Sequence, residues 1–241
     1  MDLHGIVLLH GYGVRGRTWD TMRSALGNRF RVTCAPDLNG ASIADLIVSA
    51  EATVTACRAE AATPVVVVGH SLGAVLAAVA TKNLGPTVVG AVILLAPPFG
   101  EGQQEVGGIF RFLLRHHLIP AWLIRPRFFS ELTPRAIQKQ VFADAVPERP
   151  ELQAETMGRR WFHTELFDKP LETRSLVIAS ESDGIVPSSQ SAAFASALGA
   201  TLELLPATRG VGHDDLFASP EVAREIAGRI VTFLDSGPGG A

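Results

Sequence analysis

The sequence predicts an α/β fold, with a mostly parallel sheet of about six strands and helices on both faces. Three observations carry this expectation. Short apolar runs rich in Val, Ile and Leu recur along the chain. Stretches with helical patterning separate them. One connection is far longer than the others. Short unbroken apolar runs mark strands buried on both faces, as in a parallel sheet. Strand–helix alternation is the pattern that builds such a sheet.

The strands follow in order as "GIVLL" (5–9), "FRVTC" (30–34), "PVVVVG" (64–69), "AVILLA" (91–96), "SLVIAS" (175–180) and "TLELLP" (201–206). Helical patterns fall at about 18–27, 42–61, 72–84, 188–198 and 220–235, with Ser42 and Ser188 as expected N-caps. Residues 101–168 interrupt the rhythm. A structureless loop of that length is improbable inside a domain, and the stretch carries helix signals of its own. "VGGIFRFLLRHHLIPAWLI" has apolar residues at helical spacing, "TPRAIQKQVF" opens with Thr and Pro as a cap and first turn, and "RPELQAETMGRRWF" has helical composition. The expected organisation is a core over 1–100 and 169–235, a helical lid over 101–168 and a flexible Gly-rich tail over 236–241.

Composition narrows the function. The chain has 241 residues, 47% of them hydrophobic, and a net charge of −3. Its mean hydropathy is +0.24 and its pI about 6.2. That length supports one large domain with a sizeable core. The charge balance does not favour nucleic acid as a partner. No apolar run reaches the ~20 residues of a membrane helix, and "MDLHG" lacks the features of a signal peptide, so a cytoplasmic location is expected. Cys34 and Cys57 have no metal-ligand spacing. Both read as ordinary thiols, with Cys34 in a strand-like run. No metal or organic cofactor is called for.

The chemistry centres on "GHSLG" (69–73), between "PVVVV" and "LGAVLAAVATKNL". A G-x-S-x-G sequence gains meaning when a strand precedes it and a helix follows. Gly69 and Gly73 keep side chains away from the sharp turn that lifts the Ser71 hydroxyl out of the backbone. The helix start places developing negative charge at the favourable end of the dipole. A plain strand–helix turn is the alternative. His70 is read as structural, because neighbours across a sharp turn point apart.

A serine hydroxyl needs a base, and the base an orienting acid. Of seven histidines, His213 in "GVGHDDLF" follows the last strand, the end of a parallel sheet where functional groups gather. Asp183 in "SESDGIVP" lies just past the strand at 175–180. Glu181 competes for the acid's role. Asp214 and Asp215 are poorly placed to reach the ring of their neighbour. The order Ser71, Asp183, His213 is nucleophile, acid, base, the order of one triad class. The oxyanion hole is expected from the backbone N–H of Leu72 and from that of Tyr12 in "LLHGYGVRG".

These stretches resemble the α/β-hydrolase superfamily over nearly the whole chain. The resemblance rests on "HGYG", "GHSLG", "SESDGIVP", "GVGHDDLF" and the altered loop "APDLNGAS" (35–42). In that loop Asn39 and Ala41 stand where the family usually has Pro and His, and Asp37 is read as structural. The lid position also matches capped esterases, lactonases, C–C hydrolases and thioesterases of the family. Only four residues precede the first strand, so the family's usual opening hairpin is expected to be missing, which leaves edge protection and oligomeric state open.

The resemblance implies a serine hydrolase acting on a carboxylic ester or lactone through an acyl-enzyme. A thioesterase, C–C hydrolase or cyclase with the same triad is the first alternative, and a ligand-binding, receptor-like protein the second. The expected partner is a small molecule with a medium-sized apolar acyl group. Tyr12, Phe99, Trp122, Phe129 and Trp161 are the candidate substrate-wall residues, with Phe128 and Phe162 beside them, against the alternative that they pack the lid itself. Arg111, Arg115, Arg125 and Arg127 lie in a stretch without acids and read as a solvated face, with attraction of an anionic group as the alternative.

Overall fold

In a computed structural model of the protein, residues 3–100, 121–156 and 167–237 are described, the side chains of 121 and 122 excepted. Six strands form one sheet, β1 (Gly5–Leu9), β2 (Val32–Cys34), β3 (Val65–His70), β4 (Val89–Leu95), β5 (Arg174–Ser180) and β6 (Thr201–Leu205). They pair in the order β2-β1-β3-β4-β5-β6, every pair parallel. The helices are α1 (Asp20–Leu26), α2 (Ile43–Ala61), α3 (Leu72–Leu84), α4 (Ala121–Phe128), α5 (Arg135–Ala143), α6 (Pro150–Thr156), α7 (Ser188–Leu198), α8 (Asp215–Ala218) and α9 (Pro220–Asp235).

The two-residue period of a strand sorts the core into two layers. Val7, Leu9, Val67, Val92 and Leu94 join side chains of α2, α3 and α7 on one face. Ile6, Leu8, Val66, Val68 and Ile93 join α1 and α9 on the other. All ten strand residues are fully buried, and each gains roughly 1.5–3 kcal/mol over an exposed position. Trp19 packs on Phe217 at 5.3 Å between ring centroids, fastening the first helical turn to α8.

The caps follow the sequence in part. Ser42 caps α2, accepting from the Asp45 N–H at 3.1 Å while Asp45 accepts from the Ser42 N–H. Ser188 is not a cap. Pro187 holds that position with a fixed φ of −54°, and Ser188 is the first helical residue. Thr133 does not cap α5 either. Pro134 stands at the N-cap, and the Thr133 hydroxyl donates instead to Asp215 at 2.5 Å.

Between β4 and β5 the described chain is helical at α4, α5 and α6. Residues 106–120 of the helical pattern expected over 106–124, the end of the pattern beyond Thr156 and the tail from 238 lie outside the described residues. No helix among the described residues is long and apolar enough to cross a membrane.

The strand order has a consequence for chemistry. The chain leaves β1 for β2 on one side and returns to β3 on the other, so β1 and β3 are neighbours whose connections diverge. A crevice opens beyond the carboxyl ends of such strands. The register pairs Leu9 with Gly69, so the loop after β1 lies beside the turn that carries Ser71.

Candidate active site

Ser71 joins β3 to α3 at φ 55° and ψ −123°. This is a left-handed-side conformation that a residue with a Cβ rarely adopts, and it stores strain. The surroundings enforce it. The Ser71 N–H donates to Leu95 O at 2.9 Å, and Ser71 O accepts from the Ala74 N–H at 2.9 Å. A Cβ on Gly69 would lie 2.2 Å from Gly73 O, and one on Gly73 would lie 2.2 Å from Leu9 O. The two glycines are therefore required by close strand–helix packing.

Past β5, the Asp183 carboxylate accepts from His213 Nδ1 at 2.7 Å. Its other oxygen accepts from the N–H groups of Ile185 and Val186, each at 2.8 Å. The two side chains are 1% and 3% exposed. Burial by itself pushes the His213 pKa down, but the charge and hydrogen bond of Asp183, with the charge of Asp214, outweigh it and hold the imidazole above its ordinary value. Glu181, the competing acid, points elsewhere and accepts from the Ala207 N–H at 2.9 Å.

The main chain of His213 is held as closely as its ring. His70 donates from Nε2 to His213 O at 3.1 Å, and the two rings lie 4.5 Å apart. The His70 ring also meets Phe217 edge-on at 4.7 Å. Burial, together with the nearby His213, lowers its pKa well below the usual value, so it stays neutral. The structural reading of His70 thus gains a specific content, contact with the histidine that follows β6, three strands along the sheet. Asp214, directly beside, is pushed up to about 7 by burial, with opposing help from His213 and repulsion from Asp183 and Asp215. His70, His213 and Asp214 bring ligand-capable atoms within 4.8 Å of one another, the one group among the described residues with metal-like spacing. His213 gives Nδ1 to Asp183, which leaves Nε2 as the nitrogen that can accept a proton.

The loop after β1 is set by partners far along the chain. His10, its pKa lowered by burial, donates from Nδ1 to Gly11 O at 2.9 Å and accepts from the Leu38 N–H at 2.8 Å. Asp37 accepts from the Gly16 N–H at 2.7 Å. Gly13, at φ +73°, donates to Glu148 at 2.8 Å and accepts from the Val146 N–H at 2.8 Å. A Cβ on Gly11 would come within 3.1 Å of Ser71 Cβ, so this loop runs against the serine. Tyr12 is 37% exposed, and burial of its ring with the charge of Glu148 raises its phenol pKa. A cavity of about 140 Å³ opens behind the loop, lined by His10, Arg15, Asp37, Glu148 and Arg149 among others.

The candidate wall residues separate. Phe99 is buried in the core against Phe194 at 4.8 Å. Phe129 is buried beside Phe142 at 5.9 Å. Phe128 stands 6.2 Å from the His213 ring. The Trp122 side chain and Trp161, with Phe162, Arg111 and Arg115, lie outside the described residues. Arg125 is half-buried with its guanidinium over the Phe142 ring at 6.0 Å, a cation–π contact, and Arg127 is exposed as the solvated reading expects.

Comparison with known proteins places these features in context. A family model described as "Alpha/beta hydrolase family" matches residues 6–226. An esterase from Exiguobacterium antarcticum superposes with a TM-score of 0.79 at 16% identity, covering 97% of this chain and 92% of that one. The esterase RhEst1 from Rhodococcus sp. ECU1013 gives 0.74 at 20% identity, covering 97% and 91%. A 2-hydroxy-6-oxo-6-phenylhexa-2,4-dienoate hydrolase from Rhodococcus sp. strain RHA1 gives 0.72 at 19%, also covering 97% and 91%. Likeness at these identities shows the shared fold. A search of curated proteins returns no match.

Proposed function

The chain belongs to the alpha/beta hydrolase family, and from that premise we propose that it is a serine hydrolase cleaving a carboxylic ester or lactone through Ser71, His213 and Asp183. The observation that carries the reading is the buried 2.7 Å bond between His213 Nδ1 and Asp183, with Ser71 on a strained strand–helix turn. A surface histidine would have no reason to be paired in this way. In this reading the Ser71 hydroxyl attacks the acyl carbonyl carbon while His213 Nε2 takes its proton. Asp183 fixes the tautomer and stabilises the imidazolium. The N–H groups of Leu72 and Tyr12 receive the oxyanion, each donor being worth roughly 2.7–4 kcal/mol in the transition state. The proton passes to the departing alkoxide, and water then releases the acyl group by the same steps in reverse.

The segment 101–168 acts as the lid over a medium-sized, mostly apolar acyl group. Its described part brings Phe128 to the His213 ring. Cleavage of a C–C bond by the same residues is the second reading, favoured by the likeness to the phenylhexadienoate hydrolase. A fluorophosphonate probe scored by intact mass tests the common core of both readings. Labelling at Ser71 is expected, and a folded protein that stays unlabelled removes them together. Ser71→Ala should lower turnover on the order of 10⁶-fold. A panel of p-nitrophenyl esters, lactones and vinylogous diketones then separates ester from C–C cleavage.

A further inference from the structure

Asp215 is a carboxylate with no exposure to solvent, and the proposed reaction does not use it. A carboxyl group buried in that position has to be fully hydrogen-bonded. Four donors converge on it. One oxygen accepts from the Gly212 N–H at 2.7 Å, the Ser130 N–H at 3.0 Å and the Ser130 hydroxyl at 2.5 Å. The other accepts from the Thr133 hydroxyl at 2.5 Å. One donor thus belongs to the loop that carries His213, and three belong to the segment after α4.

That segment lies directly on the two loops that supply the base and its acid. Phe128 O accepts from the Asp214 N–H at 2.8 Å. A Cβ on Gly212 would fall 2.8 Å from Phe128 O, and one on Gly184 would fall 3.0 Å from Arg127 O. Backbone contact this close leaves little freedom on either side. The His213 main chain is consequently fixed through residue 212 by Asp215, at its own carbonyl by His70 and through residue 214 by Phe128 O. Asp183 fixes only the ring.

We propose that Asp215 is a positioning residue for the hydrolase reaction, holding the His213 main chain in register with the segment 128–133. The proposal rests on the reading of His213 as the base. Misplacing a catalytic group by about 1 Å costs on the order of 100-fold in rate, and Asp215 ties the loop that carries His213 to the segment 128–133. An amide in its place keeps the size but presents an NH₂ group to donors that need an acceptor.

The test compares wild type, Asp215→Asn and Thr133→Val with p-nitrophenyl butyrate as substrate. Proton NMR of the His213 Nδ1–H resonance and thermal melting are recorded on the same samples. For Asp215→Asn the expected result is a loss in kcat on the order of 100-fold with KM nearly unchanged, and a displaced or broadened resonance. A lower Tm with wild-type kcat and resonance in the folded protein would mean a merely structural role and overturn the proposal. Should Asp215→Asn fail to fold, Thr133→Val decides, since it deletes one of the four bonds and leaves residues 212–215 unchanged in sequence. A several-fold loss in kcat with a displaced resonance supports transmission through Asp215, and wild-type values for both defeat it. If wild type cleaves no ester, the ester reading fails separately, while the resonance still reports whether Asp215 sets His213.

Discussion

The loop that carries His213 is fastened by carboxylates sealed from solvent, whereas the loop that carries Tyr12 is fastened by carboxylates that sit partly in water. Asp215 has no exposure and the Asp183 side chain 1%. On the other loop, the Asp37 side chain is 45% exposed and Glu148 is half-buried. Charge-assisted hydrogen bonds strengthen as water is excluded and lose value where water competes. The proposed base is therefore held by a few strong, irreplaceable bonds, and the candidate oxyanion loop by several weaker ones that share the task. Perturbing the first region should be severe, and perturbing the second graded.

The most severe case after loss of Ser71 is Asp183→Asn. In triads of this kind the change costs on the order of 10⁴-fold in kcat. Its pH signature follows from the causes of the His213 shift. In its proposed role His213 accepts a proton only when neutral, so kcat/KM should climb as pH rises through its pKa, which stands above the ordinary imidazole value. Removing the charge and hydrogen bond of Asp183 leaves burial as the leading cause, and burial lowers the pKa. The residual activity of Asp183→Asn should therefore reach its plateau at lower pH than that of wild type. A pH–rate profile measures this, and an acid limb that stays in place or moves upward contradicts the assignment of Asp183.

Next in size is Asp214→Asn, which acts on stability. Burial raises the Asp214 carboxyl from the ordinary carboxylate range to about 7 in the folded protein, with His70, His213, Asp183 and Asp215 facing it. The folded state holds the proton more tightly than the unfolded chain, so the stability tied to it is fully present below about pH 4 and is lost as pH rises through about 7. An asparagine never ionises and escapes that loss. Urea denaturation should find the gain from Asp214→Asn larger at pH 8 than at pH 5, by about 3 kcal/mol. A variant less stable than wild type at pH 8 would show that the ionised carboxylate is compensated by groups around it.

The same division explains what could be read from the sequence. Strands, their parallel pairing and the Ser71 turn are local matters, set by runs of Val and Ile and by two glycines whose Cβ atoms would collide with backbone. The pairing of Asp183 with His213 was legible because strand ends converge on one edge of a parallel sheet. Asp215 and Glu148 were not. Asp215 looks redundant beside His213, and its partners Ser130 and Thr133 lie 85 and 82 residues away. Glu148 meets Gly13 across 135 residues. No periodicity or spacing encodes such contacts. The expected caps at Ser188 and Thr133 failed for a related reason, since a proline took the N-cap position in each case and Thr133 was drawn to a distant carboxylate.

The mildest expected effect comes from Glu148→Ala, and it measures how far the Tyr12 loop depends on any single tie. The change removes the acceptor of the Gly13 N–H, next to the Tyr12 N–H assigned to the oxyanion. Losing an oxyanion donor outright costs about 10²–10³ in kcat. Here the Val146 N–H still reaches Gly13 O, Asp37 still holds Gly16 and the Leu38 N–H still reaches His10. The expected loss is about 10-fold, expressed in kcat more than in KM, because the oxyanion exists only in the transition state. Glu148→Gln retains an acceptor and should lose less. Steady-state kinetics on both variants decide the matter. A loss approaching that of Asp183→Asn would mean that the loop hangs on one bond after all, and no loss in either variant would detach the Tyr12 N–H from the reaction.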